Sequence, residues 1–384
     1  MALLFISIVL RPPVASMGPL LHEIIADLGL SGAQIGLLNA APVLCFGLGA
    51  FASPALVRRF GVNHSMFIVL AALSSAALVR LFFGYPGLLI GTVAAGLSIA
   101  VANVLLPTIV RLEFPNRVPM VTGAYTTILA FSASFAASVA VPSSSALGGW
   151  REALGIWLLP ALLATVLWFP KTRGQEPHVP QPAQSAAEER AAVLKSPIAW
   201  SIVLFFGLQS LGFYSILGWL PTILIDNGVT PSNAGNYLGL ATAIGVPAGL
   251  VLSGAIGRFK SLAWWVAGAS TSTMIGFVLL LAGISNQGLL VAACVFMGVG
   301  QASTFPMSLS LIGTRASTRA QTTQLSAMAQ GWGYLIAAVS TFFVGLIAQM
   351  TGTWTMSILL LSVLTLLQIG VGFYAGKPGH IPAK

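Results

Sequence analysis

The sequence predicts an all-α integral membrane protein with twelve transmembrane helices in two six-helix halves, N-in and C-in. Three observations predict it. Of 384 residues, 57% are hydrophobic and 7% charged, with mean hydropathy +0.92, whereas a soluble domain carries about 25% charged residues. Apolar runs near the ~20 residues needed to cross a ~30 Å hydrocarbon core recur along the whole chain. Basic residues fall almost entirely in alternate loops, as the positive-inside rule requires.

The spans predicted in the first half are Leu3–Ala26, Gln34–Leu56, Ser65–Phe83, Gly87–Val110, Pro119–Val141 and Trp150–Phe169. Those in the second half are Pro197–Ile225, Ala234–Ile256, Leu262–Ile284, Gly288–Ile312, Gln321–Ile347 and Thr355–Tyr374. Gly, Pro, Asn and charge punctuate them, as in Arg58-Arg59-Phe60-Gly61 and Glu113-Phe114-Pro115-Asn116. Fourteen of the 17 basic residues, from Arg58 to Lys384, lie on one side of this topology. The exceptions are Arg11 in mid-span, Arg80 near the outer end of the third span, and Arg151 in an outer loop. The net charge of +9 therefore reports topology and gives no reason to expect a nucleic-acid partner.

The expected organisation is a first half over 1–170, a cytoplasmic linker over 171–196 and a second half over 197–384. The linker is rich in Pro, Gln, Ala and Glu and cannot bury a core. Within it, Ser185-Ala186-Ala187-Glu188 has capping-box spacing, which predicts a short helix over Ala186 to Leu194. The halves echo each other faintly. Gly96 lies fifteen residues before Arg111, and Gly300 fifteen before Arg315. Two parallel halves joined inside the cell are the plan of a transporter with a midplane site at the repeat interface.

Arg11 is the residue most in need of explanation. Ten residues of helix at ~1.5 Å each place it roughly 15 Å into the first span, near the bilayer midplane. A guanidinium there costs from ~3 kcal/mol on insertion scales to ~10 or more on an isolated helix. Snorkelling from mid-span is beyond the reach of the side chain, and no carboxylate stands at the same depth. Glu23 is roughly 18 Å along the helix, while Asp27, Glu152 and Asp226 lie near outer loops. Pro12 and Pro13 lack N–H groups, so the carbonyls of Ile8 and Val9 lose their helical donors. Irregular backbone at this depth is tolerated where it faces protein or a wet cavity. Arg11 thus reads as a cavity-lining cation, against the bland alternative of an arginine tied to the freed carbonyls. His22, eleven residues on, reads either as an interfacial residue or as a titrating group near the outer mouth.

Other candidate ligands are polar or aromatic residues at mid-depth: Asn103 in the fourth span, Gln209, Tyr214 and Trp219 in the seventh, Gln301 and Phe305 in the tenth, and Gln330 in the eleventh. Each has a plain alternative as an interhelical hydrogen bond or a packing residue. Cys45 and Cys294 read as small core residues. No Walker loop, metal-ligand cluster or nucleophile–base set appears in the sequence, so no enzyme, metal or cofactor is expected.

Particular motifs carry a resemblance. Leu10-Arg11-Pro12-Pro13 is followed by Ser16-Met17-Gly18-Pro19-Leu20-Leu21, and later come Leu106-Pro107, Gly123-Ala124-Tyr125 and Gly149-Trp150-Arg151-Glu152-Ala153-Leu154. The second half adds Trp219-Leu220-Pro221, Phe305-Pro306 and Ala329-Gln330-Gly331-Trp332-Gly333-Tyr334. With these the chain resembles the cyanate-transporter-like branch of the major facilitator superfamily, which includes 2-nitroimidazole transporters. The resemblance implies the facilitator fold, alternating access, and a small anionic or nitro-bearing substrate. It also implies a multi-pass protein of the bacterial inner membrane. Between spans two and three the superfamily usually has Gly-x-Leu-x-Asp-Arg-x-Gly. Here Pro54-Ala55-Leu56-Val57-Arg58-Arg59-Phe60-Gly61 lacks the first glycine and the aspartate.

The expectation is a secondary transporter for a cyanate-, nitrite- or 2-nitroimidazole-like compound, acting as a monomer in the lipid bilayer with Arg11 as principal substrate ligand. The alternatives are a drug-efflux pump of the same fold and, outside transport, a membrane sensor or membrane enzyme. Topology is open to direct test. Cysteines introduced at Lys171 and Lys377 are expected to resist impermeant thiol reagents in intact cells, while one at Asn286 reacts. External labelling at Lys171→Cys would overturn the N-in assignment.

Overall fold

Proline placement explains how the chain begins. The computed structural model describes residues 2–173, 183–245, 247–248, 261–284 and 286–382. In it the first span is three helices, Ala2–Val9 (α1), Pro12–Ala15 (α2) and Met17–Leu28 (α3), where the sequence predicts one. Pro12 and Pro13 occupy the opening positions of α2, where a missing N–H costs nothing. They therefore restart the helix as well as interrupting it. Ser16, fully buried, donates from Oγ to the Pro12 carbonyl at 2.7 Å.

The carbonyl of Pro13 is met from elsewhere. Arg80 caps the C-terminal end of the Gly32–Val79 helix (α4) and is 2% exposed. Its Nη1 donates to the Pro13 oxygen. Nη2 and Nε reach Thr92 Oγ1 at 3.0 and 3.3 Å, and Nη2 also lies 3.5 Å from Met17 Sδ. A helix C-terminus favours a cation, so the site suits arginine despite its burial. Gly91 makes room for it, since a Cβ there would come within 2.4 Å of Arg80 Cγ.

Among the described residues, ten helical stretches are long and apolar enough to cross a membrane. One of them, Ala41–Val79, is 39 residues long and holds two spans, because α4 turns at Gly61 (φ 76°, ψ 169°). Positive φ with extended ψ is open to glycine. Ser31 starts α4 with a capping box: its Oγ accepts from Gln34 N, and Gln34 Oε1 accepts from Ser31 N at 2.9 Å. The fourth and fifth spans are Gly84–Glu113 (α5) and Val118–Leu147 (α6). The sixth is split into Trp150–Gly155 (α7) and Leu158–Trp168 (α8). The helices overrun the predicted apolar windows by up to about two turns, because they continue into the polar interface.

The linker helix runs Ala183–Lys195 (α9). It starts before Ser185, so the capping box read from sequence is not its N-terminus. Residues 174–182 lie outside the described region. The seventh span is Pro197–Asp226 (α10), and the eighth opens with Pro231–Ala243 (α11). Most of the remainder predicted for the eighth falls outside the described residues. Ala263–Ala282 (α12), Gln287–Arg315 (α13), Arg319–Thr351 (α14) and Thr355–Gly376 (α15) complete the chain. The chain forms two compact units, 1–112 with 124–188, and 113–123 with 189–384. In the second, α10 packs on α14 and α15, and α12 on α13 and α15. Arg315 is buried here and donates to the last carbonyls of α15, reaching Gly376 O at 2.9 Å.

Each unit repeats one outer corner. Asp27-Leu28-Gly29-Leu30-Ser31 and Asp226-Asn227-Gly228-Val229-Thr230 both close a helix with a positive-φ glycine and open the next with a hydroxyl cap. In the first unit Trp150 Nε1 donates to Asp27 Oδ2 at 3.1 Å; in the second Trp354 Nε1 donates to Asp226 Oδ2 at 2.8 Å. The Gly96/Gly300 echo is not structural, since Gly96 faces Cys45 of α4 while Gly300 faces Thr273 of α12.

Arg80→Ala is expected to lower the melting temperature of the ligand-free protein by several degrees. It strands buried acceptors at roughly 1–3 kcal/mol each. Arg80→Lys, with one compact donor head, falls between; an unchanged melting point for the alanine variant would contradict this account.

Candidate functional site

The candidate residues divide between the two units. In the first, Arg11 stands immediately before α2, and its carbonyl accepts from Val14 N and Ala15 N at 3.1 and 3.0 Å. Its side chain is half-buried. Among the described residues the guanidinium makes no hydrogen bond or ion pair, and the arginine that meets a carbonyl of this broken segment, that of Pro13, is Arg80. Glu23 does not reach Arg11; its Oε2 accepts from Ser144 Oγ at 2.5 Å. Asn103 is 6% exposed on a stretch of α5, residues 98–110, that is buried on every side. The His22 side chain lies outside the described region.

In the second unit a chain of rings runs across three helices. Phe206 of α10 lies 6.1 Å from Phe305 of α13 and 5.3 Å, edge-on, from Tyr334 of α14. Tyr334 lies 6.3 Å from Tyr214 of α10. Such tilted and edge-to-face pairs each add about 0.5–1.5 kcal/mol beyond buried area. Glycine permits the crossing beneath them: a Cβ at Gly333 would come within 2.4 Å of the Phe206 ring, and one at Gly207 within 3.4 Å of Gly333 Cα.

The three glutamines fare differently. Gln209 Nε2 donates to Ser210 Oγ at 2.7 Å, and Gln330 Nε2 to Ser326 Oγ at 2.9 Å. Both are 1% exposed, so each has an intramolecular use. Gln301 is 7% exposed, and neither amide atom has a partner among the described residues. It is one helical turn from Phe305, and its Nε2 stands 2.7 Å from where a Gly212 Cβ would be. A buried amide left so costs about 1–3 kcal/mol, and it has two donors and an acceptor to offer a non-protein partner. Trp219 does not join this cluster. Its ring packs on Gly345 and lies 5.4 Å from Trp354, near the outer corner.

The structure thus brings together Tyr214, Gln301 and Phe305, adds Phe206 and Tyr334, and places Trp219 apart. Phe206 carries no signal that separates it from ordinary core phenylalanine. Arg80 did carry one, because an arginine in an apolar run demands a partner. Among the described residues no cluster of His, Cys, Asp or Glu is arranged to hold a metal, and both cysteines are free and buried.

Two membrane-helix units repeating one plan, each with polar groups held inside, define a polytopic transporter. The chain belongs to the Major Facilitator Superfamily, whose model matches residues 3–341. It is 33% identical over 380 residues to the uncharacterized transporter YycB of Bacillus subtilis, covering 99% of this chain and 93% of that one. It is 32% identical over 391 residues to the 2-nitroimidazole transporter of Escherichia coli, covering 99% and 95%. The cyanate transport protein CynX of Escherichia coli is 26% identical over 362 residues, covering 93% and 91%. In fold, the Escherichia coli fucose:proton symporter FucP superposes with a TM-score of 0.80 at 13% identity, covering 98% of both chains. These are transporters, not enzymes, and the twelve-helix arrangement of the family accommodates all the spans described above.

Gly333→Ala is expected to push the Phe206 ring aside and destabilise the protein by about 1–3 kcal/mol. Thermal unfolding checks it, with Gly239→Ala, where a Cβ meets nothing within 4 Å, as the tolerated control.

Proposed function

We propose that this transporter carries a small anion or a small nitro-bearing heteroaromatic compound across the bacterial inner membrane by alternating access, with Arg11 as principal substrate ligand. The observation that carries the reading is the Arg11 guanidinium: half-buried in a broken membrane helix, with no partner among the described residues. Its planar fork of donors matches carboxylate-like and nitro oxygens in a way a lysine does not. In the second unit the Gln301 amide supplies neutral hydrogen bonds, and Tyr214 and Phe305 supply flat apolar contact. Similarity to the 2-nitroimidazole transporter and to the cyanate transport protein supports the same substrate class. Asn103, Gln209, Trp219 and Gln330 serve chiefly to shape and hold these helices. The reading further assigns 1–170 and 197–384 as the two halves, 171–196 as their linker, and the monomer as the working unit.

Thermal shift and flux into proteoliposomes test the reading on one set of purified variants, screened with cyanate, nitrite and 2-nitroimidazole. Arg11→Ala is expected to keep or raise the ligand-free melting temperature, because removing an unpaired cation relieves a desolvation cost. The same variant is expected to lose the ligand-induced shift and the flux. Arg11→Lys retains the charge and a small part of both. A folded Arg11→Ala protein that binds and transports normally would end the assignment.

A further inference from the structure

The two outer corners share one plan but differ in one residue. In the first unit, Asp27 accepts from Trp150 Nε1 and also pairs with Arg151, whose Nη1 lies 2.7 Å from Asp27 Oδ2. The Arg151 guanidinium lies over the Trp150 ring, 4.3 Å from its centroid. This corner therefore holds a cation of the chain's own between a carboxylate and an indole face. The hydrogen bond from Trp150 and the Arg151 charge keep the Asp27 carboxyl below its usual 3.8.

In the second unit the carboxylate and indole are both retained. Trp354 donates to Asp226 at 2.8 Å, and Trp354 follows Gly352-Thr353 as Trp150 follows Gly148-Gly149. Thr355 stands where Arg151 would be, and among the described residues Asp226 makes no ion pair. Among the described residues, the cation of the first corner has no counterpart here. Instead this corner opens onto a groove of about 930 Å³ whose walls include Asp226, Trp219, Trp354, Phe342, Leu346 and Ile358. The two indoles lie 5.4 Å apart, tilted at 45°.

We propose that the outer groove of the second unit binds a phospholipid whose headgroup carries a primary ammonium. The ammonium takes the place that Arg151 fills in the first unit, paired with Asp226 and set against the Trp354 face, whose π-system attracts a cation. The acyl region lies along Leu346, Ile358 and Phe342. Two features favour a lipid over a soluble amine. The groove lies at the ends of membrane helices beside two tryptophans, the residue type enriched at the headgroup level. Its wall joins polar groups, among them Gln349 and Thr353, to the aliphatic side chains of Leu281, Leu346 and Ile358, a mixture that suits a headgroup continuing into an acyl chain better than a small hydrophilic amine. The groove is built wholly from the second unit, whereas Arg11 belongs to the first.

Native mass spectrometry of the full chain in detergent tests this, with phosphatidylethanolamine and phosphatidylglycerol offered in mixed micelles and soluble ethanolamine as competitor. The wild type is expected to retain phosphatidylethanolamine in preference to phosphatidylglycerol. Asp226→Asn, which keeps an acceptor for Trp354 but not the charge, is expected to weaken retention about tenfold. Thr355→Arg, which installs the first unit's cation, is expected to weaken it as much while leaving the lipid-free melting temperature near the wild-type value. Asp27→Asn serves as the control that leaves retention unchanged. Equal retention by wild type, Asp226→Asn and Thr355→Arg would overturn the proposal, as would a preference for phosphatidylglycerol. Displacement by soluble ethanolamine at the lipid's own concentration would overturn the lipid assignment in favour of a free amine.

Discussion

Much of the first unit depends on how a broken helix is kept from exposing its backbone. Two successive prolines restart the first span where hydrocarbon would surround it, and the carbonyls at the end of the short α2 turn must find donors within the protein. Ser16 meets the carbonyl of Pro12 from the same segment, and Arg80 meets that of Pro13 from the end of the third span. The guanidinium also engages Thr92, so one buried cation joins the first, third and fourth spans. Gly91 is the steric condition for this, because its missing side chain admits the Arg80 stem.

That arrangement gives the two membrane-depth arginines different work. An arginine whose three nitrogens all engage carbonyl, hydroxyl or thioether is a structural fastener. Arg11, two residues before the proline that Arg80 holds, has no such partner among the described residues. The contrast separates a fastened arginine from an unfastened one more sharply than the depth of either residue does. The second unit shows the same division among its glutamines: Gln209 and Gln330 are engaged by serines, whereas the Gln301 amide has no described partner.

The repeat between halves is legible in the corners rather than in the middle of the helices. Helix ends obey strict local rules, namely a positive-φ residue to stop and a hydroxyl to start. The pattern Asp-x-Gly-x-Ser/Thr therefore survives in both halves with its geometry. Mid-helix positions answer to packing alone, which many apolar combinations satisfy. That is why Gly96 and Gly300 match in spacing yet face helices with no equivalence between them. The difference between Arg151 and Thr355 gains meaning only because the rest of the corner is the same.

The sequence by itself determined that this is a helical membrane protein and which stretches are long and apolar enough to cross, because hydropathy, loop charge and proline act locally and can be read one segment at a time. Capping, likewise, was open to a reading of neighbouring residues. Which polar side chains are spent on partners from distant segments was decided by tertiary structure. Arg80 and Pro13 are 67 residues apart, Trp354 and Asp226 are 128 apart, and no local pattern encodes such meetings. Trp219 illustrates the limit. From sequence it is one of several mid-depth aromatics, and only the close approach of Gly345 in another helix draws its ring away from Tyr214 and Phe305 to the outer corner. Burial inside a helix bundle is a property of pairs of helices, and a pair is fixed only when the chain has folded.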